Sequence, residues 1–416
     1  MSDQNGSTRL LFQNASVLDP ERGTLVPDQS VLVEGERILE VGGRDVRARD
    51  ARTIDVHGRT LMPGLIDCHV HVTAATADLP AQTEWSPYYV GAHAARTLRG
   101  MLERGFTTVR DVGGADWGLA QAVEEGLLAG PRLLFGGKAL SQTGGHADQR
   151  SRGRTALEPA YAVPMGGWIC DGVPAVRSAA REEIRRGAHH VKLMLGGGVA
   201  SPTDRLDSVQ FSLEEIRAAV EEAEAANLYV AGHAYTARAV ARGLECGVRS
   251  IEHGNLMDET CPPLFLARDA FYVPTLAAYT ALARYGRAGG LSEASARKLA
   301  LVVDAGLHAL ELAHRAGVRI AYGTDLLGDM HRFQSTEFTL RAQVQPPAAV
   351  IRAATTEAAR LLRMEGQVGT ITPGAYADLL VVDGNPLDDI ALLAKPHESI
   401  SEILRAGQSF RGRLCQ

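Results

Sequence analysis

Between residues 62 and 365, short apolar runs alternate with stretches whose apolar positions recur every three to four residues. The runs are LMPGLIDCH, FTTVRDV, RLLFGGKAL, HVKLML, YVAGHA, SIEHG, FYVPTL and RIAYGTD. Short, apolar and bounded by turn residues, they read as buried strands, whereas AARTLRGMLERG, VPAVRSAAREEIRRG, LEEIRAAVEEAEAAN and TARAVARGLECG carry the amphipathic period of helices. Repeated β–α alternation specifies a parallel sheet covered by helices, and eight units in about 300 residues suit a closed (β/α)8 barrel better than an open sheet. The ends of the chain have another texture. LLFQNASVLD, QSVLVEGERILEVG and ARTIDVHGRTL near the start, and GTITPGAYADLLVVDGNPL and ISEILRAGQSFRGR near the end, are alternating strand segments broken by turns, the pattern of a small antiparallel sheet. Two such segments at opposite ends pair only if the middle closes on itself. The expected organisation is therefore an α/β chain, a TIM-like barrel at 62–365 with a small β-sandwich built from 1–61 and 366–416.

Composition narrows the class. Of 416 residues, 45% are hydrophobic and 22% charged, enough to bury a large core without covalent staples. The formal charge is −6 with no basic run, which argues against nucleic acid and anionic membranes as partners. The polar N-terminus lacks the basic flank and apolar stretch of a leader, and no run approaches the roughly 18 apolar residues of a membrane span, so the expected location is the cytoplasm. Cys68, Cys170, Cys246, Cys261 and Cys415 are scattered and lack a CxxC pair, the pattern of reduced thiols. Cys68 sits between Asp67 and His69, but its strand neighbours face the other way, so it reads as a packed residue.

The chemistry begins with His69-Val70-His71 at the end of the first run. Residues two apart on a strand share a face, so both imidazoles can grip one ion. Alone the pair is weak. His233 ends the fifth run, His253 the sixth and Asp325 the eighth, while Lys192 lies in the fourth; a barrel gathers its strand ends at one mouth. An ammonium cannot ligate, but a buried lysine loses its proton readily, and the neutral amine can add carbon dioxide to become an anionic carbamate. That arrangement would hold two divalent metals, one by His69, His71 and Asp325, the other by His233 and His253, with the modified Lys192 shared. An ordinary interior ion pair is the other reading of Lys192. Zinc suits this donor set.

These residues in their settings resemble the amidohydrolase superfamily: HVH, VKLMLGGG, HAYT, IEHGN and GTD. The longer motifs PGLIDCHVHV, FTTVRDVGG, GPRLLFGGKALSQTGGHAD, KLMLGGGVASPTD and YGTDLLGDMHRFQSTEF are similar to the imidazolonepropionase-related branch, which contains bacterial Xaa-Pro dipeptidases, carboxypeptidase-like enzymes and mycotoxin-amide hydrolases. The resemblance covers nearly the whole chain. It implies a carboxylated Lys192; the mononuclear imidazolonepropionases proper are not expected to carry a lysine there, which argues against that activity. It also implies that His146, after Gly144 and Gly145, and Tyr235 contact the substrate carbonyl or its tetrahedral form.

The chemistry expected is hydrolysis of an amide: paired cations make hydroxide available at neutral pH, and Asp325 is placed to take a proton and return it to the leaving nitrogen. A substrate carboxylate would need a cation, for which Arg332, with His331 beside it, is the candidate on the loop after the eighth strand. Thr203 and Asp204, after the fourth strand, either shape the pocket or turn the chain. His189 and His190 read as structural, with His190 deep in the barrel. The long stretch after the seventh strand, with Gly286, Gly289 and Gly290, has the makings of a lid. The leading expectation is a prolidase-like or carboxypeptidase-like hydrolase of dipeptides or N-acyl amino acids. Ring opening of a cyclic, imidazolone-type amide, cleavage of an amino-acid-conjugated xenobiotic or mycotoxin, and a non-catalytic metal-binding barrel are the alternatives. A homo-oligomer is expected, as is common for such barrels.

Overall fold

The computed structural model describes residues 9–150, 153, 165–201 and 203–412. Cys415 lies outside these residues; the other cysteines are free and buried. The barrel strands are β1 (Leu65–Val70), β2 (Phe106–Asp111), β3 (Arg132–Phe135), β4 (Val191–Met194), β5 (Val230–Thr236), β6 (Ser250–Leu256), β7 (Phe271–Val273) and β8 (Arg319–Ile320). β1 to β3 form one sheet in chain order, and β4 to β8 another, in which neighbouring strands run parallel. Backbone bonds close the ring. The Cys68 N–H donates to the Tyr322 carbonyl at 2.8 Å, and the Asp325 N–H to the His69 carbonyl at 2.8 Å, joining the eighth strand's extension to β1. Between β3 and β4 the His189 N–H donates to the Phe135 carbonyl at 2.8 Å.

The third apolar run is not one strand. It breaks after Phe135 and resumes as Leu140–Ser141, which pairs with β4 and with Trp168–Ile169. The break falls at Gly137, whose φ is +70° and where a Cβ would come within 1.8 Å of Glu183 Oε2. Only glycine satisfies both conditions. The eighth run likewise has a short ladder, because the chain from Tyr322 to Asp325 bonds to β1 instead of continuing beside β7.

Strand alternation sorts the side chains. On β4, Val191 and Leu193 point out into a core with Val176, Ala180, Ile216 and Ala219 from the surrounding helices, whereas Lys192 and Met194 line the interior cavity. On β5, Val230 and Ala234 face the helices while His233 and Tyr235 face inward. Burial of that outer layer, at roughly 25 cal/mol per Å² of apolar surface, stabilises the strands. It thereby holds the inward polar groups at fixed positions.

The strands from the two chain ends form one eight-stranded sheet, ordered 408–412, 400–405, 379–382, 60–63, 9–19, 24–34 and 37–42, with 52–55 also on 9–19. The N-terminal and C-terminal parts meet where Leu61 pairs with Val381, antiparallel. The sheet is mixed and not purely antiparallel: Arg52–Asp55 and Thr60–Pro63 both run parallel to Arg9–Asp19. The hairpin between 24 and 42 supplies the crossover that parallel pairing needs. Phe12, Val31, Val33, Ile54, Leu61, Leu379 and Leu404 fill its core. The chain divides into two compact units, one of residues 67–100 and 109–345, the other of 1–66, 101–108 and 346–416. Among the described residues no helix is long and apolar enough to cross a membrane.

Candidate active site

A cavity opens at the C-terminal ends of the strands, and His69, His71, Lys192, His233, His253 and Asp325 all line it. The four imidazoles are packed ring to ring: His69 and His253 lie 4.8 Å apart between centroids, His233 and His253 4.6 Å, and His69 and His71 5.3 Å. Six residues from five separate stretches thus share one small volume.

Each histidine has one ring nitrogen occupied by the protein. His69 Nδ1 bonds Glu252 Oε2 at 2.8 Å, His71 Nδ1 the Gly113 carbonyl at 2.7 Å, and His253 Nδ1 the Thr275 hydroxyl at 2.8 Å. His233 is the reverse, with Nε2 against the Gly197 carbonyl at 3.2 Å. An acceptor on one nitrogen places the proton there and leaves the other with its lone pair, the arrangement that metal-binding imidazoles adopt. His69 Nε2 is buried without a hydrogen-bond partner. One ligand atom each from His69, His71 and Asp325 lie within 4.8 Å of one another. An orphaned buried acceptor beside a carboxylate fits a cation. The donor set of imidazole and carboxylate suits zinc-like ions.

Charge is arranged to match. Asp325 Oδ1 lies 3.4 Å from His69 Nε2 and 3.2 Å from His71 Nε2, and Oδ2 3.9 Å from His253 Nδ1. Burial opposes ionisation of Asp325, but His69, His71 and His253 outweigh it and hold the carboxyl well below the usual range, so it stays anionic. Its backbone has φ of +54°, uncommon for a residue other than glycine and a sign that the site holds this carboxylate in place. Lys192 is 1% exposed, and burial lowers its ammonium to about 8 despite the attraction of Glu252.

The oxyanion candidates are also here. His146 stacks on His233 at 4.2 Å with the planes 15° apart, and its Nδ1 faces Asp204 Oδ2 at 3.2 Å. The Tyr235 hydroxyl accepts from Tyr279 at 3.0 Å, which leaves its own proton for the cavity that it lines. Burial raises the Tyr235 phenol above its ordinary value, so that proton is retained. The segment after β7 forms the helices Leu276–Tyr285 and Glu293–Leu299, and Tyr279 and Leu282 from the first of them wall the cavity.

Arg332 and His331 are not brought into this lining. Residues Gly328–Phe333 wind into a 3-10 turn that sends the two side chains elsewhere. Arg332 is exposed, bonds the Asp329 carbonyl at 2.9 Å and lies 4.6 Å over the Phe333 ring; His331 is buried against the Ala74 carbonyl at 3.2 Å. Nor does Thr203 line the cavity, whereas Asp204 reaches it through His146. His190 lies buried and stacked on Tyr229, as expected of a structural residue.

Sequence reasoning missed the groups beneath the ligands. Glu252 accepts from His69, from Arg110 Nη2 at 2.8 Å and from the Ser250 hydroxyl at 2.6 Å, with both ion-pair partners fully buried. Alternation on β6 would point Glu252 away from its neighbour His253. A φ of +75° at His253 bends the strand so that both face inward. Asp111 accepts from the N–H groups of Val72, Gly113 and Ala115, thereby holding the carbonyl that orients His71. Glu252→Gln is expected to weaken metal binding by about 10–100-fold, measured by competition with a chelating dye.

The amidohydrolase family profile matches residues 60–406. A prolidase crystallised with N-methylphosphonate-L-proline is 49% identical, with a TM-score of 0.95 over 98% of this chain and 100% of that one. A Xaa-Pro dipeptidase with bound methionine is 31% identical, with a TM-score of 0.87 over 97% and 100%. The ochratoxinase of Aspergillus niger is 32% identical over 96% of this chain and 86% of its own.

Proposed function

The chain belongs to the amidohydrolase family, hydrolases of amide bonds, and from that premise we propose that it is a binuclear metal-dependent dipeptidase of prolidase type. The observation that carries the proposal is the set of four histidines, each with one nitrogen tied to the surrounding protein, gathered with Lys192 and Asp325 in one cavity. In this reading His69, His71 and Asp325 would hold one zinc ion and His233 and His253 the other. Lys192 would serve both as the N6-carbamate, formed when its neutral Nζ bonds to carbon dioxide and one proton leaves. When bound, the ions supply Lewis acidity and lower the pKa of water.

The protein's own groups do the rest. His146 and Tyr235 donate hydrogen bonds to the carbonyl oxygen as charge develops on it, stabilising the transition state more than the ground state. Asp325, kept anionic, takes the proton of the attacking water and delivers it to the leaving nitrogen, the step by which the C–N bond breaks. Ala139, Ala147, Met165, Met194, Val199 and Leu327 give the cavity an apolar wall suited to a side chain or a proline ring. The substrate's free carboxylate is part of the proposal; Arg332 is not among the residues that line the cavity.

The test is a panel of Xaa-Pro dipeptides, N-acyl amino acids, an amino-acid-conjugated mycotoxin and cyclic amides with the metal-replete enzyme. Xaa-Pro dipeptides are expected to give the highest kcat/KM. Turnover confined to cyclic amides would overturn the dipeptidase reading, and turnover confined to the mycotoxin conjugate would move it to the ochratoxinase side of the family.

A further inference from the structure

Asp204 and Lys298 have no part in the chemistry above, yet both belong to the network that holds His146, which lines the cavity. Asp204, 8% exposed, receives at Oδ2 the His146 Nδ1 at 3.2 Å, the Gly198 N–H at 3.1 Å and Gln210 Nε2 at 3.2 Å. At Oδ1 it receives the Ser201 hydroxyl and the Lys298 ammonium, the latter at 3.1 Å. Lys298 arrives from the helix Glu293–Leu299 in the long segment after β7, and also donates to the Gly198 and Ser201 carbonyls at 3.0 Å each. Residues about a hundred positions apart are thereby fastened together beside His146.

The imidazole of His146 is held on every side that matters. One face stacks on His233; the other lies so close to Gly198 that a Cβ there would come within 2.2 Å of Cε1. Its edge is pinned by Asp204 through Nδ1, so Nε2 is the ring nitrogen left to meet substrate. A carboxylate that orients a donor needs its own position fixed, and a three-pronged ammonium does that.

Resting on the reading of His146 as an oxyanion donor, we propose that Asp204 is its positioning residue and that Lys298 is a latch. Lys298, carried on the helix Glu293–Leu299, fastens Asp204 and so ties the alignment of His146 to the segment after β7.

The experiment uses the metal-replete full-length protein and the Xaa-Pro dipeptide it hydrolyses fastest. His146→Ala is expected to lower kcat by about 10²-fold, the scale of one lost oxyanion donor. Asp204→Asn should lower kcat by about 10–100-fold and Lys298→Met by about tenfold, with KM within about threefold and metal content unchanged in the folded protein. Neither should add to the loss when combined with His146→Ala, because all act through one group. Affinity for N-methylphosphonate-L-proline should fall with kcat, while affinity for the product proline holds. Losses that multiply in the double variants would overturn the proposal, since Asp204 and Lys298 would then act elsewhere. Wild-type kcat in both Asp204→Asn and Lys298→Met, with His146→Ala impaired, would sink this inference alone. Wild-type kcat in His146→Ala would sink the donor reading and the inference with it. If Asp204→Asn does not fold, Lys298→Met, at the more exposed end of the pair, decides.

Discussion

Lys192→Ala is expected to lower kcat by about four orders of magnitude, the scale on which a member of a catalytic unit fails. It should also reduce bound metal from two equivalents to one or fewer. Lys192 is 1% exposed and lines the cavity with the histidines, so alanine removes the only bridging anion the proposal provides and leaves a hole among them. A short carboxylate such as acetate or propionate fits that hole and carries two oxygens; added at high concentration, it should restore part of the activity. Metal analysis and kinetics on the same preparation settle the outcome. Two equivalents of metal and full turnover without Lys192 would end the binuclear mechanism.

The metal-free protein offers a second reading of the same residue. Burial holds the ammonium at about 8 in the folded chain, against an ordinary 10.5 when exposed. Between those values the unfolded chain binds more protons, so the contribution of Lys192 to stability rises with pH across that window. A Lys192→Met variant should lack that rise.

Arg110→Met is expected to cost about 3–5 kcal/mol of stability, as breaking one side of a fully buried ion pair does. Arg110 is 0% exposed and bonds the Cys68 carbonyl at 2.6 Å, the Ser250 hydroxyl at 3.0 Å and Glu252 at 2.8 Å. Burial pushes the Glu252 carboxyl up, and Arg110 and His69 together bring it well below its ordinary value. Without Arg110 a charge is stranded in the barrel interior. Adding Glu252→Leu should return much of the stability, because no uncompensated charge is left, yet metal affinity should stay about 10–100-fold weakened, since His69 has lost the acceptor that fixes its proton. Thermal midpoint and metal affinity therefore separate in the double variant. If both recover together, Glu252 serves only packing.

What could be read before folding was whatever repeats locally. Inward and outward positions on a strand alternate, so Lys192 between Val191 and Leu193, and His69 and His71 two apart, declare their face without any knowledge of neighbours. Helical period and strand runs in alternation declare the barrel, and a barrel gathers the ends of its strands. From this the ligand candidates and the cavity's position followed.

Tertiary structure decided what no local period encodes. Arg332 follows Asp325 closely in sequence, but a 3-10 turn carries its guanidinium onto Phe333 and away from the cavity. Glu252 meets Arg110 across 142 positions, and Lys298 meets Asp204 across 94. Those meetings depend on strand register and loop path, which hydrogen bonding between distant segments sets. The tautomer of each histidine was decided in the same way, by an acceptor from another strand or loop. Residue spacing along one chain therefore named the candidate ligands, while only the folded barrel set which nitrogen of each is tied to the protein.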